Sequence, residues 1–149
     1  MTACNYQSPF GSIIIQENNG ALSTVKFGHC QQQGTSPLLT ETMRQLDEYF
    51  AGQRKNFNLP LSINGSAFQQ KVWHALQQIP YGQTVSYKDI AVAIDNPKAC
   101  RAVGMANHNN QICIIIPCHR VIGSNGSLTG YAEGIDIKQQ LLDLEKQYR

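Results

Sequence analysis

Ile112-Cys113-Ile114-Ile115-Ile116-Pro117-Cys118-His119-Arg120-Val121-Ile122-Gly123 is the stretch around which the chain is organised. A β-branched apolar run stops at a proline, and Cys, His and Arg follow at once. The run Ile112–Ile116 reads as a buried strand without a polar face. Pro117 has no N–H to give to a sheet ladder, so the strand is expected to end there. Cys118 then sits where a strand gives way to a turn. A thiol is a strong nucleophile only as the thiolate, which a base or nearby positive charge promotes. His119 and Arg120 are placed to supply both. A free cysteine is more often an inert core residue. The neighbours Pro117, His119 and Arg120 favour a reactive one here.

The 149 residues suit one domain, or a small lobe beside a larger one, and 42% hydrophobic content is enough for a real core. Twelve Lys+Arg against ten Asp+Glu leave a formal charge of only +2, which does not suggest a polycationic nucleic-acid binder. Any DNA contact must then rest on local placement of charge. An odd count of five cysteines, with no signal peptide, points to free thiols in a reducing cytoplasm. No apolar run approaches the ~20 residues that span a bilayer. Cys4, His29 and Cys30 match no familiar zinc spacing, so neither a metal nor another cofactor is expected.

Working outward from the central stretch, residues 1–28 read as a small hairpin. Ile13-Ile14-Ile15 leads to the turn signal Asn18-Asn19-Gly20, and Ala21–Phe27 returns. Ser36-Pro37 is a helix start, with Leu39, Met43, Leu46 and Phe50 at helical spacing and Gly52 as the stop. Residues 56–64 read as an extended connector. Ser66 opens a second helix with an apolar stripe through Phe68, Val72, Trp73, Leu76 and Ile79, broken by Pro80-Tyr81-Gly82. Ser86 caps another helix, and Pro97 is placed to begin one running from Lys98 to about Asn107.

These last two helices form a helix-turn-helix pattern. Apart from Lys98 and Arg101, the second of them carries small residues, including Ala102, Gly104 and Ala106. Small side chains permit close approach, either to a neighbouring helix or to a nucleic-acid groove. The pattern leaves both open, though Arg101 has no acidic partner within its own turn. Near the C-terminus, Ile135 to about Gln147 forms a last helix expected to turn Ile137, Leu141, Leu142 and Leu144 inward, with an edge of Glu145 able to follow them.

From Phe68 to Glu145 the chain resembles the O6-alkylguanine-DNA alkyltransferases, or methylated-DNA–protein-cysteine methyltransferases. The resemblance is carried by Ile116-Pro117-Cys118-His119-Arg120-Val121-Ile122-Gly123, Ile79-Pro80-Tyr81-Gly82, Val85-Ser86-Tyr87, Arg101-Ala102-Val103-Gly104, Leu128-Thr129-Gly130-Tyr131, and Leu141-Leu142 with Glu145. In that family prolines often stand where this chain has Gln111 and Cys113. Neither replacement is expected to supply a reactive group.

The resemblance implies an α/β (α+β) chain. A small sheet-plus-helix lobe over residues 1–63 precedes a mainly helical domain over 64–149, which carries the helix-turn-helix. It implies a cytoplasmic DNA repair enzyme, acting as a monomer on double-stranded DNA bearing O6-alkylguanine, with O4-alkylthymine as a second candidate substrate and no cofactor. Cys118 would take the alkyl group and keep it, once per molecule, after the damaged base is flipped out. His119 would act as base through a bridging water, oriented by Glu145. Tyr87 would serve the leaving guanine, and Asn110 would tie the DNA-binding helix to the Cys turn. Arg101 would fill the gap left by the base, with Ala102, Gly104 and Tyr87 against the DNA. Tyr131, Val121 and Thr129 would line the pocket. Competing readings are a lesion binder that does no chemistry, a cysteine hydrolase, and a helix-turn-helix regulator indifferent to Cys118.

Overall fold

The computed structural model describes residues 1–128, 131 and 133–149. They separate into two units, Met1–Ile63 and Asn64–Arg149.

In the first unit, β1 (Thr2–Ser8), β2 (Gly11–Asn18) and β3 (Ala21–Phe27) form an antiparallel sheet in that order. The expected hairpin is therefore two strands of a three-stranded sheet. Its turn is made as the residue types dictate, with φ +53° at Asn19 and +80° at Gly20. Alternation places Cys4 opposite Ile15 and Tyr6 opposite Ile13 on one buried face, with Val25 across from Ile15. Helix α1 (Pro37–Phe50) buries Leu39, Leu46 and Tyr49 in the same core. Ser36 caps it by accepting the Leu39 N–H. Tyr6 fixes the helix to the sheet by donating to Asp47 at 2.6 Å.

The second unit contains α2 (Ala67–Leu76), β4 (Val85–Ser86), α3 (Tyr87–Ala93), α4 (Cys100–His108), β5 (Val121–Ile122) and α5 (Ile135–Tyr148). Ser66 and Ser86 each form a reciprocal capping box, with Gln69 and Asp89. β4 and β5 pair in parallel, Val85 with Val121 and Ser86 with Ile122. That pairing carries the start of α3 to the residues that follow Cys118.

Three expectations are corrected. The run Ile112–Ile116 is not a strand but a buried, tightly folded turn. Ile116 N–H reaches Ile112 O at 3.1 Å, Ile115 N–H reaches Cys113 O at 2.8 Å, and Ile114 has φ +71°. Apolar character on all sides follows from burial and does not distinguish strand from turn. Helix α4 begins at Cys100, not Lys98. Ala99 N–H bonds to Asn96 O, so the residues after Pro97 close a separate turn first. On α5, Leu141 is fully buried, but Ile137, Leu142 and Leu144 are only half-buried, and the inward face is Lys138, Leu141 and Glu145.

The small residues of α4 divide between two faces. Val103, Ala106 and Asn107 point inward, and Trp73 Nε1 on α2 donates to Ala106 O at 2.8 Å. Arg101, Ala102 and Met105 are exposed. Close helix packing thus explains the inner face and leaves the outer face unexplained by packing.

Candidate active site

Pro117 ends the buried turn, and Cys118–Arg120 form a single 3-10 turn before β5. All three of its side chains are buried; Cys118 is 2% exposed and His119 is fully enclosed. The turn is held from two sides. Asn110 Nδ2 donates to Ile112 O (3.3 Å) and Ile116 O (2.9 Å), while its Oδ1 accepts the Ile112 N–H at 3.0 Å. Asn107, on α4 itself, donates to Cys118 O at 3.3 Å. The link from α4 to the cysteine turn is therefore shared, with Asn110 shaping the turn and Asn107 reaching it from the helix. The left-handed φ at Ile114 is costly for a β-branched residue, of order 1–3 kcal/mol. These buried hydrogen bonds offset it.

His119 Nε2 lies 2.6 Å from Glu145 Oε2. Arg120 grips the same carboxylate twice, Nε to Oε1 at 2.8 Å and Nη2 to Oε2 at 3.0 Å, and donates to Ile79 O at 2.8 Å. Gly82 N–H adds a longer bond to Oε1. Burial works against an ionised Glu145, but the bonds from His119 and Arg120 outweigh it and hold the carboxyl well below its usual range. Burial is also the main cause of the lowered His119 pKa, and the Arg120 and Lys138 charges add to it against the pull of Glu145. The imidazole is thus neutral near pH 7. An ionised carboxylate only accepts, so Nε2 carries the hydrogen and Nδ1 presents a lone pair. Nδ1 is buried without a hydrogen-bond partner among the described residues. That is the arrangement of a base oriented from behind by an acid.

Arg120 does not serve the thiol as positive charge, contrary to expectation, because its guanidinium is committed to Glu145. Lys138, whose residue type gives no hint of burial, takes that place. It is fully buried, donates from Nζ to Val121 O at 2.5 Å, and stands 5.9 Å from the ring centroids of both Tyr87 and Tyr131. Its signal in the sequence was the helical spacing 138, 141, 145. The Cys113 thiol, expected to be chemically silent, donates to Glu133 Oε1 across 3.4 Å. Cys118 is pulled below the ordinary thiol range chiefly by Cys113, against burial, with help from Asn110 and Lys138 and opposition from Glu133.

Among the remaining expected site residues, Val121 is fully buried and Tyr131 is 7% exposed. Thr129 lies outside the described residues. Tyr87, half-buried, and exposed Arg101 line an open groove of about 710 Å³ together with Gly104, Met105 and His108. A Cβ built on Gly104 would stand 4.0 Å from the Tyr87 ring, in ordinary van der Waals contact. Arg101 makes no hydrogen bond or ion pair with another described residue. Among the described residues no cluster of three or more metal-ligating side chains occurs, and no helix is long and apolar enough to cross a membrane.

Burial lowers the Lys138 pKa to about 8, partly offset by attraction to Cys118. Between there and the ordinary value of 10.5, folded Lys138 holds fewer protons than the unfolded chain, so this residue makes stability rise with pH across that window. Lys138→Met should abolish that part of the rise. Urea midpoints of the two proteins, taken on either side of pH 8, should converge as pH increases. Parallel midpoint curves would contradict the assignment.

Two family patterns match the chain. "6-O-methylguanine DNA methyltransferase, DNA binding domain" covers residues 67–147, and "6-O-methylguanine DNA methyltransferase, ribonuclease-like domain" covers residues 4–63. The chain is 57% identical over 148 residues to a Methanosarcina mazei protein named methylated-DNA–protein-cysteine methyltransferase, covering 94% of each. It is 46% identical to the constitutive Bacillus subtilis protein of that name over 152 residues, covering 94% of this chain and 92% of the relative. Among solved structures it is similar to the Mycobacterium tuberculosis OGT in complex with DNA, with TM-score 0.92, 41% identity, and coverage of 99% and 94%.

Proposed function

The chain belongs to the 6-O-methylguanine DNA methyltransferase family, and from that premise we propose that it removes alkyl groups from the O6 of guanine in duplex DNA and retains them on Cys118. The observation that carries this reading is a buried cysteine opening a 3-10 turn whose next residue, His119, has its Nε2 held 2.6 Å from the buried carboxylate of Glu145.

The chemistry follows from the groups present. His119 Nδ1 takes the Cys118 proton through one bridging water, since adjacent side chains rarely face each other. The sulfur attacks the alkyl carbon, forming S–C as the C–O6 bond breaks. The electron pair passes to the guanine, which the Tyr87 hydroxyl protonates as it leaves. The product is a thioether. Thioethers do not hydrolyse under these conditions, so each molecule acts once; the acting species in this reading is a monomer. O4-alkylthymine presents the same alkyl–oxygen bond and is a second candidate substrate.

Because Cys118 is buried, the base must leave the duplex to reach it. The exposed face of α4 supports this step: Ala102 and Gly104 allow close approach to the minor groove, and Arg101, exposed and without an ion pair among the described residues, is available to enter the base stack. Val121 and Tyr131, both buried, would line the receiving pocket. Unstacking costs a few kcal/mol, which an inserted guanidinium partly offsets. Arg101→Ala is expected to slow repair by about tenfold or more through this loss. Repair of a lesion already placed opposite an abasic site should be slowed much less. Equal slowing on both substrates would remove Arg101 from base extrusion.

The reading as a whole is tested by incubating the protein with excess O6-methylguanine duplex and counting restored guanines. The expected course is a rise that stops at one per protein molecule. Continued turnover, or no restoration, would overturn it.

A further inference from the structure

Ile79, Tyr81 and Gly82, close together after α2, each meet the Arg120–Glu145 pair. Ile79 O accepts from Arg120 Nη1 at 2.8 Å, the Tyr81 ring centroid lies 5.6 Å from Arg120 Cζ, and Gly82 N–H donates to Glu145 Oε1 at 3.3 Å. Gly82 makes this possible with φ +78°, a conformation strained for any residue with a Cβ. Arg149 holds the loop from outside, donating from Nη1 to Gly82 O at 3.4 Å. Solvent is close by. Glu145 is 1% exposed, yet it borders an open cavity of about 320 Å³ together with Gly82, Thr84, Lys146 and Arg149.

Building on the function proposed above, we infer that Tyr81 is a positioning residue for the alkyl transfer: its ring caps the Arg120 guanidinium, keeps water from the Arg120–Glu145 pair, and so holds still the carboxylate that orients His119. A guanidinium donates its hydrogen bonds in its own plane and leaves its two faces bare. An aromatic ring covers such a face with an attractive contact and without needing a donor or acceptor. Attraction within a buried pair is strong only while water stays out. With the ring gone, water would reach the guanidinium, the pair would loosen, and Glu145 would hold the imidazole less firmly. No proton moves at Tyr81, which acts through Arg120 and Glu145 and touches no reacting atom.

The change has a readable sign at His119. The charged and titratable groups around this imidazole are Glu145 and Lys138 from α5, Arg120 from its own turn, and Cys118 before it. Tyr148 of α5 adds to those around Tyr81. Burial is the largest influence on His119 and lowers its pKa, so admitting water moves it back up, against the smaller effect of a weakened Glu145 contact.

The test is the pH dependence of the single-turnover methyl transfer rate, with the His119 ring titrated by NMR in the DNA-free protein. Tyr81→Ala should move the acid limb and the His119 titration upward together by about half a pH unit or more, a rate loss of about threefold or more on the limb, with the plateau nearly kept. Tyr81→Phe keeps the ring and should keep both at their wild-type positions. Tyr81→Leu loses the flat face but not the bulk, and should move both in the same direction by less. If Tyr81→Ala does not fold, Tyr81→Leu decides in its place. A lowered plateau with limb and titration unmoved would mark Tyr81 as packing alone and overturn the inference. An equal shift in Tyr81→Phe would also overturn it, since the hydroxyl and not the ring would then carry the effect. Failure of the wild-type protein to take up methyl would defeat the proposed function instead, while the His119 titration would still read the cap.

Discussion

Cys118→Ala should take up no methyl group from DNA, while binding lesion-bearing duplex as tightly as the parent. The loss is complete because no other described thiol has the same surroundings. Cys113 is 1% exposed and donates its hydrogen to Glu133. Cys100 lines the outer groove with Lys88, Arg101 and His108, and is not part of the turn that carries the His119–Glu145 pair. Cys4 and Cys30 belong to the first unit. Binding is spared because Arg101, Ala102 and Gly104 lie on the exposed face of α4, away from the sulfur. The measurement is radiolabelled methyl transfer paired with a DNA titration. Residual uptake by the variant would mean that another group accepts the alkyl.

Glu145→Leu should be the most damaging change to both stability and rate outside the cysteine. Glu145 is 1% exposed and receives Arg120 through two hydrogen bonds and His119 through a third. Its removal leaves the guanidinium, 6% exposed, without a counter-charge. Breaking a buried pair in this way costs about 3–5 kcal/mol. For a chain of this length, that corresponds to a melting temperature lower by about 10 °C. The rate should fall by about 10²–10⁴, because the imidazole loses the acceptor that fixes its tautomer. The two effects can be separated. Adding Arg120→Met to Glu145→Leu removes the stranded charge and should restore most of the stability while the rate stays low. Recovery of both together would show that Glu145 acts on the rate only through folding.

The sequence announced those features that depend on a residue and its near neighbours. Ser36 and Ser66 cap the helices they precede, Asn19-Gly20 turns the hairpin, and Ser86 starts α3, because each effect is complete within a few residues. The motif around Cys118 was visible for the same reason. What stayed hidden depends on partners far along the chain. Ile112–Ile116 has the composition of a buried strand, but its backbone bonds are taken by the Asn110 amide and by its own carbonyls. Arg120 looked like a charge for the thiol until Glu145, twenty-five residues on, claimed it. Lys138 carries a residue type that is rarely buried, so its place in the core could not be read from identity alone. Cys113 stood out only as a departure from the family's usual proline, and nothing local showed that it would meet Glu133, twenty residues on.

The most direct test of the central claim is a peptide map of the protein after reaction with O6-methylguanine duplex. One added methyl on the peptide containing Cys118, and none on peptides containing the other four cysteines, is the predicted result. A methyl on any other residue, or an unmodified Cys118 peptide after the DNA has been repaired, would contradict it.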